Sequence, residues 1–314
     1  MIIPNFSDIE EAFARIEQYI HITPVLTSQS INEITGANLF FKCENLQKVG
    51  AFKIRGAINA VFSLSDEEAA KGVATHSSGN HAAALALAAK LRGIEAHIVM
   101  PNNAPEIKQK AVAGYGGKIT LCEPTLKDRE ETLVKIVAQT GATLVHPYNQ
   151  AEVIAGQGTC ALELMGQVEG LDAILTPVGG GGLLAGTALS AKYLNPDIEL
   201  IAAEPEGADD AYQSFLQEKL VPAVNPQSIA DGLLTSLGEL NYEIIKNNVD
   251  AVITAPDKAI VEAMRMIWER MKIIVEPSAA ITLAIILENK DAFKDKNVGI
   301  ILTGGNLDLE KLPF

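Results

Sequence analysis

Five short segments carry residue types that binding and catalysis use, and each stands where a predicted strand ends or a predicted helix begins. Ligands of doubly wound α/β sheets bind at those strand ends. We therefore expect the five segments to contribute to one site. They are AFKIRGA (51–57), HSSGNHA (76–82), PVGGGGLLAG (177–186), EPEGADD (204–210) and TGGN (303–306).

A run of four glycines lies between a predicted strand and a predicted helix. Backbone N–H groups in such a loop can approach an anion closely, and the positive end of the helix dipole adds to the attraction. The run predicts a phosphate-binding loop, with a tight structural turn as the alternative. Its members are Gly179, Gly180, Gly181 and Gly182.

The same run also fits a dinucleotide-binding pattern. Gly180, Gly182 and Ala185 match G-x-G-x-x-A. Glu204 ends the next predicted strand, about where a ribose-binding acid would stand. A dinucleotide-dependent oxidoreductase is therefore an alternative function from another class.

Lys53 stands before a predicted helix, between the apolar residues Phe52 and Ile54. An apolar setting disfavours the ammonium form and lowers the pKa of a lysine, which suits Schiff-base chemistry. The alternative is an exposed lysine at the start of a helix. Schiff-base chemistry at Lys53 would argue against the dinucleotide interpretation.

Small hydrogen-bond donors precede the helix predicted after residue 80. Their hydroxyl and backbone N–H groups can bind a carboxylate at the helix N-terminus. Ordinary N-capping explains the same residues equally well. His76 and His81 have no carboxylate or cysteine at metal-ligand spacing, so we interpret both as structural. The donors are Ser77, Ser78, Gly79 and Asn80.

Four of the seven residues in EPEGADD are acidic. Oxygen ligands this close together suit Mg²⁺ or Ca²⁺. A solvated acidic loop is the alternative, and composition alone favours it.

The composition limits the classes of protein and of partner. With 314 residues, 48% of them hydrophobic, the chain is long enough for two lobes around packed cores. A net charge of −14 repels nucleic acid and anionic membranes, so we expect neither as a partner. The few cysteines predict free thiols in a reducing compartment and no zinc site; they are Cys43, Cys122 and Cys160.

Neither the N-terminal segment nor any apolar run predicts export or membrane insertion. MIIPNFSDIEEAF lacks the basic stretch followed by an apolar one that marks a signal peptide. No apolar run reaches membrane-spanning length. We expect a cytoplasmic protein.

Predicted strands and helices alternate along most of the chain, in two blocks. This order is typical of parallel sheets covered by helices, so the predicted fold class is α/β. The predicted strands are 39–44, 72–78, 95–101, 118–123 and 143–148, then 173–178, 199–205, 251–254 and 298–305. The predicted helices include 54–64, 81–91, 128–139, 157–168 and 258–271.

Together the segments resemble the serine/threonine dehydratase and serine racemase family of pyridoxal-phosphate enzymes, fold-type II. The similarity extends from TPVLTS (23–28) through KCENLQKVGAFKIRGA (42–57) to ILTGGNLDL (301–309). IAGQGT (154–159), IADG (229–232) and WERMKIIVEPSAA (268–280) also resemble family segments. The resemblance implies a two-lobed fold similar to the tryptophan synthase β chain. Residues 1–50 and 150–314 would form a large cofactor-binding domain, and residues 51–149 a small mobile domain.

The resemblance also implies how pyridoxal 5′-phosphate is held. Lys53 would be the Schiff-base lysine, and Phe52 would lie against the ring. Asn80 would bond the ring hydroxyl, and Thr303 would place its hydroxyl on the pyridine nitrogen. The phosphate would lie in a cup formed by Gly179, Gly180, Gly181, Gly182 and Leu183.

Further roles that the resemblance implies concern the substrate and a metal ion. Ser78 would act as an acid or base on the face opposite Lys53. The loop of Ser77, Ser78, Gly79 and Asn80 would bind the substrate carboxylate. Arg129 would read a second carboxylate, unless it is a solvated helix arginine. A divalent ion, Mg²⁺ or Ca²⁺, would be held by Glu204, the Ala208 carbonyl and Asp210.

The function that the resemblance implies is an ammonia-lyase acting on serine, threonine or 3-hydroxyaspartate, with serine racemisation as a second activity. HPYN (146–149) and GGNLDLEKLP (304–313) are similar to 3-hydroxyaspartate dehydratases. A primary amino-acid racemase is the nearest alternative, and a non-catalytic metabolite-binding protein is a distant one.

Two departures from the family pattern are His81-Ala82-Ala83-Ala84, which argues against nucleotide activation, and Tyr148, which stands where some members have an amide side chain. The family also leads us to expect a homodimer.

Overall fold

The computed structural model describes residues 2–314, and its strands form two sheets. In chain order the strands are β1 (Val25–Leu26), β2 (Asn38–Cys43), β3 (Val73–His76), β4 (Ala96–Pro101), β5 (Lys118–Cys122), β6 (Thr143–Leu144), β7 (Ala173–Pro177), β8 (Glu199–Pro205), β9 (Ala251–Ala255) and β10 (Asn297–Leu302).

Within residues 2–314, the large sheet has six strands in the order β1-β2-β10-β7-β8-β9, and the small sheet has four in the order β5-β4-β3-β6. β1 runs antiparallel to β2, and the other neighbouring pairs in this part of the chain are parallel. Parallel strands end at one edge of a sheet, which is where ligands bind in such folds. The predicted α/β class is confirmed.

Helices precede, separate and follow the strands. They are α1 (Phe6–Ile16), α2 (Gln29–Thr35), α3 (Lys53–Phe62), α4 (Asp66–Ala69), α5 (Asn80–Arg92), α6 (Glu106–Gly114), α7 (Leu126–Thr140), α8 (Ala151–Gln167), α9 (Gly182–Leu194), α10 (Asp210–Leu216), α11 (Glu239–Asn248), α12 (Asp257–Met271), α13 (Pro277–Glu288) and α14 (Lys290–Phe293).

The large sheet is covered on both faces. Successive side chains of a strand point to opposite faces. Leu175 and Ile300 accordingly pack in one core with residues of α12 and α13. Their neighbours Ile174 and Ile301 pack in another core with residues of α8, α9 and α11. Burial on both faces explains why β7 and β10 are continuous apolar runs in the sequence.

Glycines bring three helices into close contact. A Cβ atom on Gly56 of α3 would lie 2.4 Å from Nε2 of Gln157 in α8, and one on Gly156 would lie 2.6 Å from the Cα of Gly56. A Cβ on Gly186 of α9 would lie 2.5 Å from the backbone nitrogen of Gly158. Helix α8 therefore packs directly against α3 and α9, the two helices that begin at Lys53 and at the glycine run.

Several predicted boundaries are wrong. The strand predicted over 143–148 is confined to Thr143–Leu144, because Pro147 cannot donate to a ladder and the chain bends there. The helix predicted from residue 157 begins six residues earlier, at Ala151. The short β1, α2, α4, α10 and α14 were not predicted, since short elements carry little periodic signal. The longer α11 and α13 were missed as well; α13 is buried on nearly all sides and so shows no amphipathic period.

The strands of the small sheet all lie between residues 73 and 144, inside the segment predicted as the small domain. The exact domain limits and the mobility of that domain stay predictions. Among residues 2–314, no helix is both long enough and apolar enough to cross a bilayer.

Candidate active site

Lys53 is the first residue of α3, and its side chain is partly buried. Its Nζ donates a hydrogen bond to the carbonyl oxygen of Pro147 over 3.0 Å and lies 5.1 Å from the ring centroid of Phe52. Burial lowers the pKa of the Lys53 amine to about 8, although the carboxylate of Glu276 acts in the opposite direction. The site thus contains an amine that is readily deprotonated near neutral pH, and Lys53 is not a fully solvated lysine.

The glycine run joins β7 to the N-terminus of α9, a helix of 13 residues. Gly181 has a φ of 87°, a left-handed conformation that glycine adopts without strain. A Cβ atom on Gly180 would lie 2.4 Å from the ring of Tyr148, and one on Gly179 would lie 2.9 Å from the Cα of Leu233. Neighbouring residues therefore confine the loop, and its glycines carry no side chains that could cover the backbone N–H groups, as a phosphate-binding loop requires. Leu183 is buried in the core, so only its backbone N–H is left for an anion.

Thr303 follows β10 and is 4% exposed. Its carbonyl oxygen accepts a hydrogen bond from the backbone N–H of Phe52 over 3.0 Å, and Ala51 forms an isolated antiparallel bridge with Gly304. The end of β10 is thereby joined to the segment that carries Lys53. Thr303 and Lys53 are 250 residues apart in sequence, and this contact brings them together.

Residues 77–80 connect β3 to α5. Oγ of Ser77 accepts a hydrogen bond from the backbone N–H of Gly79 over 3.3 Å, which shapes the loop. A Cβ atom added to Gly79 would have open space around it. Among residues 2–314, the hydroxyl of Ser78 has no hydrogen-bond partner, so it remains available to a ligand.

Asn80, at the N-terminus of α5, is held by two residues from the C-terminal third of the chain. Its Nδ2 donates to Oε1 of Glu276 over 3.0 Å, and its Oδ1 accepts from Nδ2 of Asn306 over 2.9 Å. Glu276 is 4% exposed, and burial followed by the charge of Asp231 raises its pKa to about 7. The sequence reasoning missed Glu276, although an acidic residue directly before Pro277 at a helix start was a usable signal.

Arg129 lies in the first turn of α7, and its Nε is buried without a hydrogen-bond partner among residues 2–314. The charge of Arg129 acts on His76, the last residue of β3. Burial lowers the pKa of His76, and Arg129 shifts that pKa in the same direction while Glu130 opposes it. His76 directly precedes the loop of residues 77–80, so the charge of Arg129 acts on a direct neighbour of the predicted substrate loop.

The acidic loop lies between β8 and α10, and its two predicted metal-binding carboxylates are buried. Oε1 and Oε2 of Glu204 accept hydrogen bonds from the backbone N–H groups of Ala211 and Tyr212 over 2.9 and 2.8 Å. Oδ2 of Asp210 accepts from the N–H of Leu237 over 2.8 Å, while its Oδ1 has no partner in the described part of the chain. A fully solvated loop is therefore wrong for Glu204 and Asp210.

Both carboxyl groups bind a proton more readily than they would in water. Burial raises the pKa of Glu204 to about 8 and that of Asp210 to about 6; the charge of Asp210 further raises the pKa of Glu204. No group of three or more histidine, cysteine, aspartate or glutamate side chains in residues 2–314 has a metal-binding arrangement. An ion here would need backbone oxygens such as the Ala208 carbonyl, which both Mg²⁺ and Ca²⁺ accept as ligands.

Comparison with known proteins identifies what this arrangement is similar to. A family model described as pyridoxal-phosphate dependent enzyme matches residues 16–304. The β-hydroxyaspartate dehydratase of Paracoccus denitrificans is 55% identical over 314 residues, covering 100% of both chains. The L-threo-3-hydroxyaspartate ammonia-lyase of Saccharomyces cerevisiae is 47% identical, covering 99% of this chain and 96% of that one. The crystal structure of serine racemase from Dictyostelium discoideum superposes with a TM-score of 0.94 at 55% identity, covering 98% of this chain and 99% of that one.

The close packing of the glycine run generates a prediction. Gly180→Ala places a methyl group 2.4 Å from the position of the Tyr148 ring, so the loop or the bend that carries Tyr148 must shift. We expect affinity for pyridoxal 5′-phosphate to fall at least about tenfold, since a misplaced loop loses backbone hydrogen bonds worth about 1.5–3 kcal/mol each to a charged group. Cofactor affinity is measured by titrating the apoenzyme and following absorbance.

Gly166→Ala is the matched control for that substitution. Gly166 lies in α8, and a Cβ atom there would meet nothing within 4 Å. Alanine favours a helix over glycine by about 0.8–1.0 kcal/mol, so this variant should bind the cofactor normally and unfold at an equal or higher temperature. Equal cofactor affinity in the two variants would contradict the assignment of the loop.

Proposed function

Because this chain belongs to the family of pyridoxal-phosphate-dependent enzymes, we propose that it is an ammonia-lyase that converts a 3-hydroxy amino acid to a 2-oxo acid and ammonia. The observation that carries the proposal is the Lys53 amine, whose pKa burial lowers to about 8. It bonds the carbonyl of Pro147, and the next residue, Tyr148, packs on the glycine loop at the N-terminus of α9. Pyridoxal 5′-phosphate, when bound, supplies the electron sink that a carbanion at Cα needs. The fold is the two-lobed fold-type II architecture.

The residues that would hold the cofactor follow from the site. Lys53 would carry it covalently, and the backbone of residues 179–183 would bind its phosphate. Phe52 would cover one face of the ring, and Asn80 would contact the ring hydroxyl with an amide already oriented by Glu276. The hydroxyl of Thr303 would face the ring nitrogen. A neutral hydroxyl would not hold that nitrogen protonated as a carboxylate would, so the cofactor would be a weaker electron sink here.

Proton transfer at Cα is assigned to the freed amine of Lys53, which is neutral in a large fraction of molecules near pH 8. The substrate carboxylate would bind the backbone N–H groups and hydroxyls of residues 77–80. The Cα proton and the β-hydroxyl leave as water. Hydrolysis of the released enamine then yields the 2-oxo acid and ammonia, so that the water lost is regained.

We propose 3-hydroxyaspartate as the preferred substrate. The charge of Arg129 acts on His76, which directly precedes the substrate loop, and the buried Nε of Arg129 has no acceptor among the described residues. A second carboxylate on the substrate would satisfy that donor. Two similar proteins are named for 3-hydroxyaspartate, the enzymes of P. denitrificans and S. cerevisiae.

Serine racemisation is a second candidate activity, and the free hydroxyl of Ser78 favours it. Racemisation needs a proton donor on each face of a planar carbanion, and Lys53 can serve only one face. Similarity to the serine racemase of D. discoideum supports this candidate.

Location, assembly and partners stay proposals as well. We propose a cytoplasmic homodimer that binds a small amino acid and neither nucleic acid nor membrane. The net charge of −14 supports the last point, because both of those partners are polyanionic.

Assays on two variants test the proposed reaction and its stereochemistry. Lys53→Met should lower ammonia release from 3-hydroxyaspartate by at least about 10²–10⁴-fold, the usual contribution of a general base. Ser78→Ala should abolish serine racemisation while keeping measurable ammonia release. Ammonia and product chirality are measured in the same samples. Full turnover by Lys53→Met would refute the assignment of Lys53, and racemisation at the wild-type rate in Ser78→Ala would exclude Ser78.

Arg129→Met tests the substrate. It should lower kcat/KM for 3-hydroxyaspartate by about 10- to 100-fold, because a hydrogen bond to a charged group contributes about 1.5–3 kcal/mol. kcat/KM for serine, which has no second carboxylate, should change far less. Lys127→Met removes an exposed cation from the same helix and controls for net charge. Equal losses for both substrates would mean that Arg129 does not read the second carboxylate.

We also propose that Glu204, Asp210 and the Ala208 carbonyl hold Mg²⁺ or Ca²⁺. Each carboxyl has a pKa raised above its unfolded value, so without an ion stability falls as pH rises, through about pH 4 to 6 for Asp210 and 4.5 to 8 for Glu204. Added ion should raise the melting temperature, and more so at pH 8 than at pH 6. Asp210→Asn should remove this response, whereas Glu206→Gln, at an exposed position in the same loop, should keep it. An unchanged melting temperature with ion or chelator would exclude the site.

A further inference from the structure

The bend at residues 146–149 is closed by a side chain. Nδ1 of His146 accepts hydrogen bonds from the backbone N–H groups of Tyr148 and Asn149 over 3.3 and 2.9 Å. Among residues 2–314, no backbone carbonyl takes the place of this acceptor for either N–H group. Asparagine and aspartate commonly close bends in this way, by accepting from N–H groups two or three residues ahead. The imidazole of His146 therefore closes this bend in place of the usual asparagine or aspartate side chain.

This bend contacts three parts of the site at once. The carbonyl oxygen of Pro147 accepts the hydrogen bond from Nζ of Lys53. Tyr148 packs against Gly180, and its hydroxyl lies 2.9 Å from Oγ1 of Thr235. Beyond it, Oδ1 of Asn149 accepts from the N–H of Leu240 at the start of α11 over 2.9 Å. The conformation of four residues thus determines where the acceptor for the catalytic amine lies.

The protonation state of His146 suits an acceptor. Because Nδ1 accepts two N–H groups, the single ring proton must be on Nε2. Burial lowers the pKa of His146 to about 4, and the nearby His76 and Lys53 act in the same direction. His81, also close to His146, has its pKa lowered to about 3 by burial first and by the charge of Lys53 next. At neutral pH both rings are uncharged, so Nδ1 of His146 stays an acceptor.

We propose that His146 is the positioning residue for the amine of Lys53, acting through the Nδ1 acceptor that fixes the Pro147 carbonyl and not as an acid or base. The inference rests on the proposed function, since it takes Lys53 as the group that moves the Cα proton. An amine that donates one N–H to a fixed carbonyl loses rotational freedom about its last bond. Its lone pair is then directed consistently, which is how positioning groups accelerate a reaction.

Two substitutions of His146 separate its ring nitrogens. The Oδ1 of asparagine can occupy the place of Nδ1, whereas the amide of glutamine reaches the place of Nε2. His146→Asn should therefore keep the bend, and His146→Gln should open it. His97→Gln, on β4 and outside the site, is the matched control.

The first readout needs neither cofactor nor turnover. The pKa of Lys53 is measured in the apoenzyme by competitive reductive methylation at several pH values, with the labelled peptide quantified by mass spectrometry. In His146→Gln water should reach the amine, and its pKa should rise from about 8 toward the ordinary lysine value. In His146→Asn and His97→Gln it should stay within a few tenths of the wild-type value.

The second readout is steady-state kinetics of the holoenzyme. His146→Gln should lower kcat by about 10²-fold with a smaller change in KM, the effect of a misplaced catalytic group. His146→Asn should recover kcat to within a few-fold of wild type. Failure of His146→Asn to rescue would show that the imidazole itself is required, and an unchanged Lys53 pKa in His146→Gln would also overturn the proposal.

Two further outcomes are covered by the same design. If His146→Gln does not fold, His146→Asn alone decides, because a required imidazole would cost the full loss of kcat in that variant. If the wild-type enzyme releases no ammonia from any 3-hydroxy amino acid, the proposed function fails. The titration of Lys53 still tests the positioning role in that case, so the two failures are distinguishable.

Discussion

The guanidinium of Arg55, enclosed without access to water between two carboxylates, fixes the helix that carries Lys53. Its Nε and Nη2 donate to the two oxygens of Glu44 over 2.7 and 2.8 Å, and its Nη1 donates to Glu163 over 2.7 Å. Glu163 also pairs with the buried Lys42 at 2.6 Å. Removing one partner from such a group costs about 3–5 kcal/mol, because the remaining charge is left buried and uncompensated. That is a large share of the stability of a domain, about 5–15 kcal/mol. Helix α3 therefore has one permitted position relative to β2 and α8.

Once α3 is fixed by charge, the rest of the site is aligned by close packing. Gly56 and Gly156 let α3 and α8 approach until their backbones touch, and Gly158 and Gly186 do the same for α8 and α9. Because α3 begins at Lys53 and α9 begins at Gly182, the close contacts of both helices with α8 set where the amine and the glycine loop lie relative to each other. The glycines of RGA, GQG and LLAG thus determine how closely the helices pack, at positions away from the reacting groups.

The sequence could predict the features that local pattern determines. The alternation of strands and helices, helix starts within one residue of Lys53 and Asn80, and a glycine loop before α9 all follow from periodicity and residue type. Contacts between distant segments could not be predicted. Asn80 meets Glu276 across 196 residues, and Arg55 looks in sequence like any helix cation until Glu163 is placed 108 residues away. Residues 146–148 of the bend were predicted as strand, since its closure depends on a ring nitrogen that no propensity scale describes. Sequence pattern therefore identifies most of the elements, and tertiary contacts decide where they end and what they contact.

The same tertiary contacts balance the charge of the catalytic amine. Burial favours the neutral form of Lys53, and an ionised Glu276 favours the ammonium form. The pKa of Glu276 is itself raised to about 7, by burial and by Asp231, while Asn80, Lys108 and Asn306 act against that rise. Lys108 and Asp231 form an ion pair of 2.5 Å between α6 and the segment before α11, so the two opposing influences on Glu276 are joined to each other. Asp231 raises the pKa of Glu276 more than Lys108 lowers it. Through Glu276, the proton affinity of the Lys53 amine therefore depends on charges from α6 and from the segment before α11, two parts of the chain that lie far from Lys53 in sequence.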